Sequence, residues 1–215
     1  MSTRKISSNS IMGFQELNRE IYGRQNNWFF SATRIVSRMN RHAVKALMVV
    51  KVGGPIKARG WKDVIAYRLA MTFSWSLALA NKLHMDLEEQ RRKKFVDTPF
   101  MTLQEFQRMI ESHIDEHLAI GQTQNLLRDI AKVDEVLEDF FVLHEPSLFG
   151  EVGDNLLNVI CRICEIATLS GLKLAEEMEN QFGNGCPKCR KTPCGCPFIV
   201  ARTVFFCERV PILKN

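Results

Sequence analysis

The sequence has no long apolar run. The first residues, MSTRKISSNS, lack the apolar segment that a secretory signal peptide carries. The longest apolar stretch, residues 69–80, is too short to cross a bilayer. We therefore expect a soluble, cytoplasmic protein with no membrane partner. Its 215 residues, 46% of them hydrophobic, provide enough apolar material for one large domain or two small ones.

Recognisable ligand patterns are also scarce. Among the five histidines, only His113 and His117 share a helical spacing, and such a pair is more often a solvated helix face than a metal site. No basic motif with interleaved aromatic residues is present, so nucleic acid has weak support as a partner. A CxxC sequence near the C-terminus has no βαβ context, which disfavours a redox role.

Charge is divided unevenly along the chain. Residues 1–95 hold 18 Lys and Arg against 6 Asp and Glu, a net charge of +12, whereas residues 96–215 hold 11 against 18, a net charge of −7. This asymmetry suggests that the halves face each other or that the basic half meets a polyanion. We favour the first alternative because the basic residues are spread along predicted helices.

Helical periodicity runs through most of the chain. The first half predicts two helices, a Gly- and Pro-rich loop, a long apolar helix and a short charged helix capped by Asp86. The same order follows in the second half, and residues 77–95 align without gaps with residues 164–182. The predicted helices of the first half are 14–23, 29–50, 61–83 and the helix after Asp86.

This repetition predicts an all-α fold with an internal duplication. We expect two tandem four-helix units, residues 1–96 and 97–183, packed together as two copies pack in a dimeric helical bundle. A small cysteine-rich unit, residues 184–215, follows them.

Two acid pairs flank a predicted turn at Glu145-Pro146-Ser147, where proline ends the first of two antiparallel helices. Residues three apart share one helix face, so four carboxylates across a helix pair can converge on a divalent cation. Acids at this spacing are also common on solvated faces. Apolar residues interleave with both pairs, which favours an interhelix site. The acids are Glu135, Glu138, Glu151 and Asp154.

The sequence Glu-x-x-Glu, twelve intervening residues and Glu-x-x-Asp resembles the signature of the MazG-like all-α nucleoside triphosphate pyrophosphohydrolases, which include the dimeric dUTPases. GLKLAEEMENQF is similar to that family's closing helix, and CPKCRKTPCGC to a cysteine tail of some small members. The resemblance implies that the four acids hold Mg²⁺ (or Mn²⁺) and bind a nucleoside triphosphate. Water would attack the α-phosphorus, releasing a nucleoside monophosphate and pyrophosphate.

Individual roles follow from this hypothesis. A carboxylate that the metal does not fully engage is suited to act as general base, and Glu138 is our candidate. Lys132 is a candidate phosphate contact, although on spacing alone it is equally a surface residue. Nothing in the sequence identifies the base or the sugar.

The first unit also resembles the family, above all in FSWSLALANKLHMDLEEQ, but it lacks the acids. The motif positions fall on Arg38, Arg41, Arg68 and Met71, which cannot ligate Mg²⁺. The arginines either form surface or interdomain salt bridges, or border the cleft and bind nucleotide phosphates. Because family members act as dimers, the first unit would take the partner's place, and a further homodimer stays open.

The gapless alignment projects Arg68 and Met71 onto Asn155 and Asn158, one turn beyond the acids of the second unit. The acids therefore lie about 6 Å along the helix from the position that the first unit predicts. Asn158 is a candidate metal ligand or phosphate contact.

Four cysteines within eleven residues, Cys186, Cys189, Cys194 and Cys196, predict a structural Zn²⁺ site, since zinc takes four soft ligands and a cytoplasmic setting disfavours disulfides. The other three cysteines have a different setting. Cys161 and Cys164 are expected to be small buried apolar residues. Cys207 lies in a stretch typical of a short strand or an extended tail.

Two functions follow from the sequence. The first is a Mg²⁺-dependent nucleoside triphosphate pyrophosphohydrolase. The alternative is a catalytically weak or inactive scaffold of the same fold that binds a protein partner or nucleic acid, which the missing acids of the first unit favour.

Overall fold

The computed structural model describes residues 9–53, 60–95, 101–112 and 119–196. These residues form eight helices and no strand, which confirms the all-α prediction. The helices are α1 (Ile11–Phe29), α2 (Ala32–Gly53), α3 (Trp61–Lys82), α4 (Leu87–Lys94), α5 (Leu103–Glu111), α6 (Ala119–Leu143), α7 (Ser147–Leu169) and α8 (Leu174–Phe182). His113, His117 and Cys207 lie outside the described residues.

The four long helices form a central bundle. α2 packs against α3 and α6, and α7 packs against α6 and α3. The other four helices cover this bundle: α1 and α8 lie on α3, while α4 and α5 lie on α7. One continuous core joins the first four helices, α1 to α4, to the last four, α5 to α8. It runs from Phe14 and Phe73 to Phe106 and Ile160.

Local signals set the helix starts. The Asp86 carboxylate accepts the N–H groups of Glu88 and Glu89 at 2.9 and 3.0 Å, as predicted for a cap. α1 begins three residues earlier than predicted because the Ser10 hydroxyl accepts the N–H of Gly13. The Thr102 side chain caps α5 in the same way, within a capping box.

A buried glutamine makes the same three contacts in each half of the chain. Gln15 donates its Nε2 to the carbonyl of Met85 (2.6 Å) and to Asn81 Oδ1 (3.2 Å), and its Oε1 accepts the N–H of Leu87 (3.3 Å). Gln107 contacts the carbonyl of Leu172, Thr168 Oγ1 and the N–H of Leu174 at 2.8, 3.1 and 2.9 Å. The contacted residues are paired by the gapless alignment of residues 77–95 with 164–182.

The turns beside these glutamines also correspond. His84 and Gly171, paired by the alignment, both have positive φ, of 56° and 65°. Each turn borders an open groove, of about 400 Å³ beside Gln15 and about 320 Å³ beside Gln107. We call residues paired in this way, 87 positions apart, equivalent residues.

No single described helix is long and apolar enough to span a membrane. α7 and α8 meet that criterion only when they are taken together, and a bend of 103° separates them.

Candidate functional site

α6 and α7 form the antiparallel pair that carries the acid motifs. α6 ends at Leu143 and α7 begins at Ser147, so the turn lies where proline predicts it. The interleaving apolar residues Val133, Leu137 and Val152 are buried, as expected of a stripe that faces the bundle. Phe141 is an exception, since 47% of its surface is exposed.

All four motif acids are exposed on these helices. Within the described part of the chain, their side chains make no hydrogen bond or ion pair, and no three of them bring ligand atoms within 4.8 Å of one another. The apolar stripe occupies the interface between α6 and α7, which leaves the acids at its solvent border. The convergent four-carboxylate Mg²⁺ site therefore stays a prediction, without a preassembled ligand set.

Negative charge accumulates at this end of α6. Partial burial, and then the neighbouring Glu138 carboxylate, raise the pKa of Asp134 above its usual value. Glu138 is the candidate general base and has Asp134 one turn away on α6. A cation that approaches these carboxylates therefore relieves repulsion between them.

The α7 face that bears the acids continues into a cleft of about 350 Å³. Glu151, Asp154 and Asn158 follow one another at spacings of three and four residues, which places them on one side of α7. The side-chain oxygen of Asn158 accepts a hydrogen bond from the Lys94 ammonium of α4. The cleft is lined by Lys94, Phe95, Ile110, Asp129, Asn158, Cys161, Arg162 and Glu165.

Arg162 organises the floor of this cleft. Its guanidinium donates to Asp129 on α6 at 3.2 Å, to Glu165 at 2.7 Å and to Gln122 at 3.1 Å. The two carboxylates and the partly buried guanidinium form a network, which is worth more than an isolated exposed ion pair. The sequence reasoning missed this cluster. The available signal was Arg162 and Glu165, three residues apart within the apolar sequence NVICRICEIATL.

Cys161 lies on the wall of the cleft but is poorly suited to act as a nucleophile. Burial raises the pKa of its thiol to about 12, so little thiolate exists at neutral pH. Cys164 is completely buried in the core. Cys164 is therefore the buried packing residue that the sequence predicts, whereas Cys161 is only partly buried and the prediction was wrong in that respect.

The other predicted substrate-binding residues are dispersed. Lys132 is exposed on α6, one turn from Asp129. Arg38 and Arg41 are half-buried on α2. Arg68 is only 5% exposed, and its Nη1 lies 3.3 Å from Nδ1 of His42, so it is not a surface residue. Arg68 does not line the cleft beside Asn158.

The four C-terminal cysteines come together. Their sulfurs all lie within 4.8 Å of one another, the one group of at least three such ligands among the described residues. The Cys186–Cys196 and Cys189–Cys194 sulfurs are 3.9 and 3.8 Å apart. Thiolates at about 2.3 Å from a tetrahedral Zn²⁺ are about 3.8 Å from each other, so this group can hold a zinc ion.

Backbone amides stabilise the thiolate form of Cys189, which is the form that binds a metal. Desolvation raises the pKa of Cys189, but hydrogen bonds from the N–H groups of Gly195 and Lys191 outweigh it and lower the pKa to about 6. The Gly195 nitrogen lies 3.4 Å from the Cys189 sulfur. Amide donors to thiolates are typical partners of metal-bound sulfur.

Comparisons of this chain with protein-family models, with curated proteins and with solved structures found no match.

Proposed function

We propose that this protein is a Mg²⁺-dependent nucleoside triphosphate pyrophosphohydrolase that converts a (d)NTP and water into a (d)NMP and pyrophosphate. One observation carries the proposal. The α7 face with Glu151 and Asp154 leads through Asn158 into a cleft that contains the cations Lys94 and Arg162. A polyphosphate with its metal at the acids would reach these cations with its remaining charge.

The separation of the acids is compatible with this role. Mg²⁺ keeps several water ligands and usually binds through one or two carboxylates together with substrate phosphates. A protein cage of three or four ligands is therefore not required before the nucleotide arrives. When bound, the cation would neutralise phosphate charge and lower the pKa of the attacking water.

Architecture supports the same proposal. The repeated glutamine contacts and paired turns favour a duplicated chain of two MazG-like four-helix units, with a first unit that has lost its acids. α4 packs on α7 and α8 packs on α3, so the last helix of each unit contacts the other unit. In a dimer, the last helix of each copy would contact the other copy in the same way. In this arrangement the first unit contributes Lys94 to the cleft of the second.

A coupled phosphate assay tests the proposal. Purified protein with Mg²⁺ and a panel of NTPs and dNTPs should release pyrophosphate, which added pyrophosphatase converts to phosphate for malachite-green detection. Asp154→Asn should lower kcat/KM at least about 100-fold, because the variant loses a metal ligand. Glu179→Gln, which changes an exposed acid of α8 outside the motif, should leave the activity unchanged.

The two neighbouring lysines of α4 provide a second matched pair. Lys94→Ala should raise KM about 10-fold because Lys94 lines the cleft, whereas Lys93→Ala removes only an exposed pair with Glu89. Absence of turnover with every nucleotide, or equal activity in wild type and Asp154→Asn, would refute the hydrolase proposal.

The scaffold function is the second candidate, and the end of α6 favours it. Val142 and Leu143 are 69% and 61% exposed, one turn after the acids Glu138 and Asp139 on α6. Exposed apolar residues of this kind are typical of a protein-binding surface. This alternative would be supported by two results together. The purified protein should show no turnover but should self-associate in sedimentation experiments, and the Val142→Ser, Leu143→Ser variant should no longer self-associate.

A further inference from the structure

The cysteine cluster is docked on the first helix of the chain. We call residues 185–196 the zinc knuckle. The N–H of Cys194 donates to the carbonyl of Ile21 at 2.8 Å, and Nε2 of Gln25 donates to the carbonyl of Cys194 at 3.1 Å. These bonds join residues about 170 positions apart, since Gln25 and Cys194 are separated by 169. The knuckle is therefore attached to both ends of the described fold.

Tyr22 stands at the centre of this junction. Its ring packs edge-on against Phe182, the last residue of α8, with the ring centres 6.4 Å apart. Burial, and then the nearby Cys186 sulfur, raise the pKa of its hydroxyl, which places the hydroxyl close to this sulfur; Cys186 is only 4% exposed. A phenol keeps its proton at neutral pH, so Tyr22 is the donor when this sulfur is a metal-bound thiolate.

These contacts combine a metal ligand, a helix end and a distant helix in one cluster. Gln25 donates to the backbone of the ligand Cys194, and Tyr22, three residues earlier on the same side of α1, lies near the ligand Cys186. Outer hydrogen bonds of this kind orient metal ligands, and their loss typically weakens metal binding about 10- to 100-fold.

We propose that Zn²⁺, by holding the knuckle in the conformation that hydrogen-bonds to α1, cross-links α1 to α8, and that Tyr22 is a positioning residue for the Cys186 thiolate. All four ligands lie within residues 186–196, so the ion itself closes only this short loop. The hydrogen bonds of the folded loop to Ile21 and Gln25 then oppose separation of the first and last helices. The cross-link is independent of the proposed hydrolase activity, because none of these residues lines the cleft beside Asn158.

Zinc release tests the role of Tyr22. The full-length protein should contain one Zn²⁺ per chain, and transfer to a chromogenic chelator, 4-(2-pyridylazo)resorcinol, reports its loss. Tyr22→Phe should release zinc about 10-fold faster or more, because the ring contact with Phe182 persists while the hydroxyl is gone. Tyr67→Phe changes the only other tyrosine, which lies on α3 beside His42, and should release zinc at the wild-type rate.

Co²⁺ substitution gives an independent readout. The thiolate-to-cobalt absorption of a four-sulfur site should shift in Tyr22→Phe and stay unchanged in Tyr67→Phe, which separates a ligand effect from a change in stability. A chain without bound zinc, or a Tyr22→Phe variant that matches wild type in both release rate and spectrum, would overturn the proposal.

Hydrogen exchange tests the cross-link itself. Removal of zinc by a chelator should increase amide exchange in the second half of α1 and in α8, and leave the α6–α7 pair unchanged. Gln25→Ala, which retains every zinc ligand, should reproduce part of this increase at α1 with zinc still bound. Faster exchange confined to the knuckle would show that the metal organises only its own loop, and would refute the cross-link.

Discussion

α4 and α8 end the two sets of four helices and make equivalent contacts, but their buried faces differ. α4 buries Glu88 and Arg91, which are 1% and 0% exposed and form an ion pair at 2.6 Å. The equivalent residues of α8 are Ala175 and Met178, both buried and apolar. The same glutamine contacts are therefore compatible with a buried face that is either charged or apolar.

The largest expected effect comes from removing one partner of the buried ion pair of α4. Glu88→Ala should cost about 3–5 kcal/mol in the free energy of unfolding, because a guanidinium remains buried without this carboxylate. The double variant Glu88→Ala, Arg91→Met copies α8 and should recover most of that loss, since apolar replacement of a buried ion pair is often neutral or stabilising. Urea denaturation measures both variants. A double variant no more stable than the single one would show that the two faces are not interchangeable.

The next effect tests whether Gln15 and Gln107 have the same structural role in the two halves. Gln15→Ala and Gln107→Ala each leave a backbone carbonyl and a buried N–H without their glutamine partner, which should cost about 2–4 kcal/mol. Both substitutions should shift the denaturation midpoint by similar amounts. Gln104→Ala, an exposed position on the same helix as Gln107, is the control and should have little effect. A large difference between Gln15 and Gln107 would contradict the correspondence of the two halves.

The smallest effect is expected at the contact of α7 with α4. An added Cβ at Gly153 would lie 3.0 Å from side-chain atoms of Gln90 and Met85, which are flexible ends that can move. The equivalent residue in α3 is Ala66, so Gly153→Ala copies the first half. We expect a stability change within about 1 kcal/mol, since the gain in helix propensity opposes the crowding. A loss of more than about 3 kcal/mol in the free energy of unfolding would mean that the α7–α4 contact can adjust less than the α3–α8 contact.

The cleft gives a second contrast between the halves. In the first half, Asn18 and Ser74 are hydrogen-bonded to each other at 2.9 Å, and only about 10 Å³ of space remains beside them. Cys161, equivalent to Ser74, borders the open cleft of about 350 Å³. Helix packing alone therefore does not create the cleft. Residues of four helices, α4, α5, α6 and α7, line it.

Much of the fold could be predicted from the sequence because its signals are local. Asp86 and the residues that follow it specify a cap, proline at position 146 specifies the turn before α7, and four closely spaced cysteines specify their own cluster. Each signal acts over a few residues and needs no knowledge of distant contacts. The all-α class and the cysteine site were predicted on this basis.

The sequence alone determined the helical periodicity, the correspondence of residues 77–95 with 164–182 and the clustering of the four cysteines. Long-range packing established that the motif acids lie exposed, that Arg162 joins Asp129 to Glu165, and that the knuckle rests on α1. These features depend on which side of a helix its neighbours cover. Residues far apart in the chain fix that choice, so no local pattern contains it.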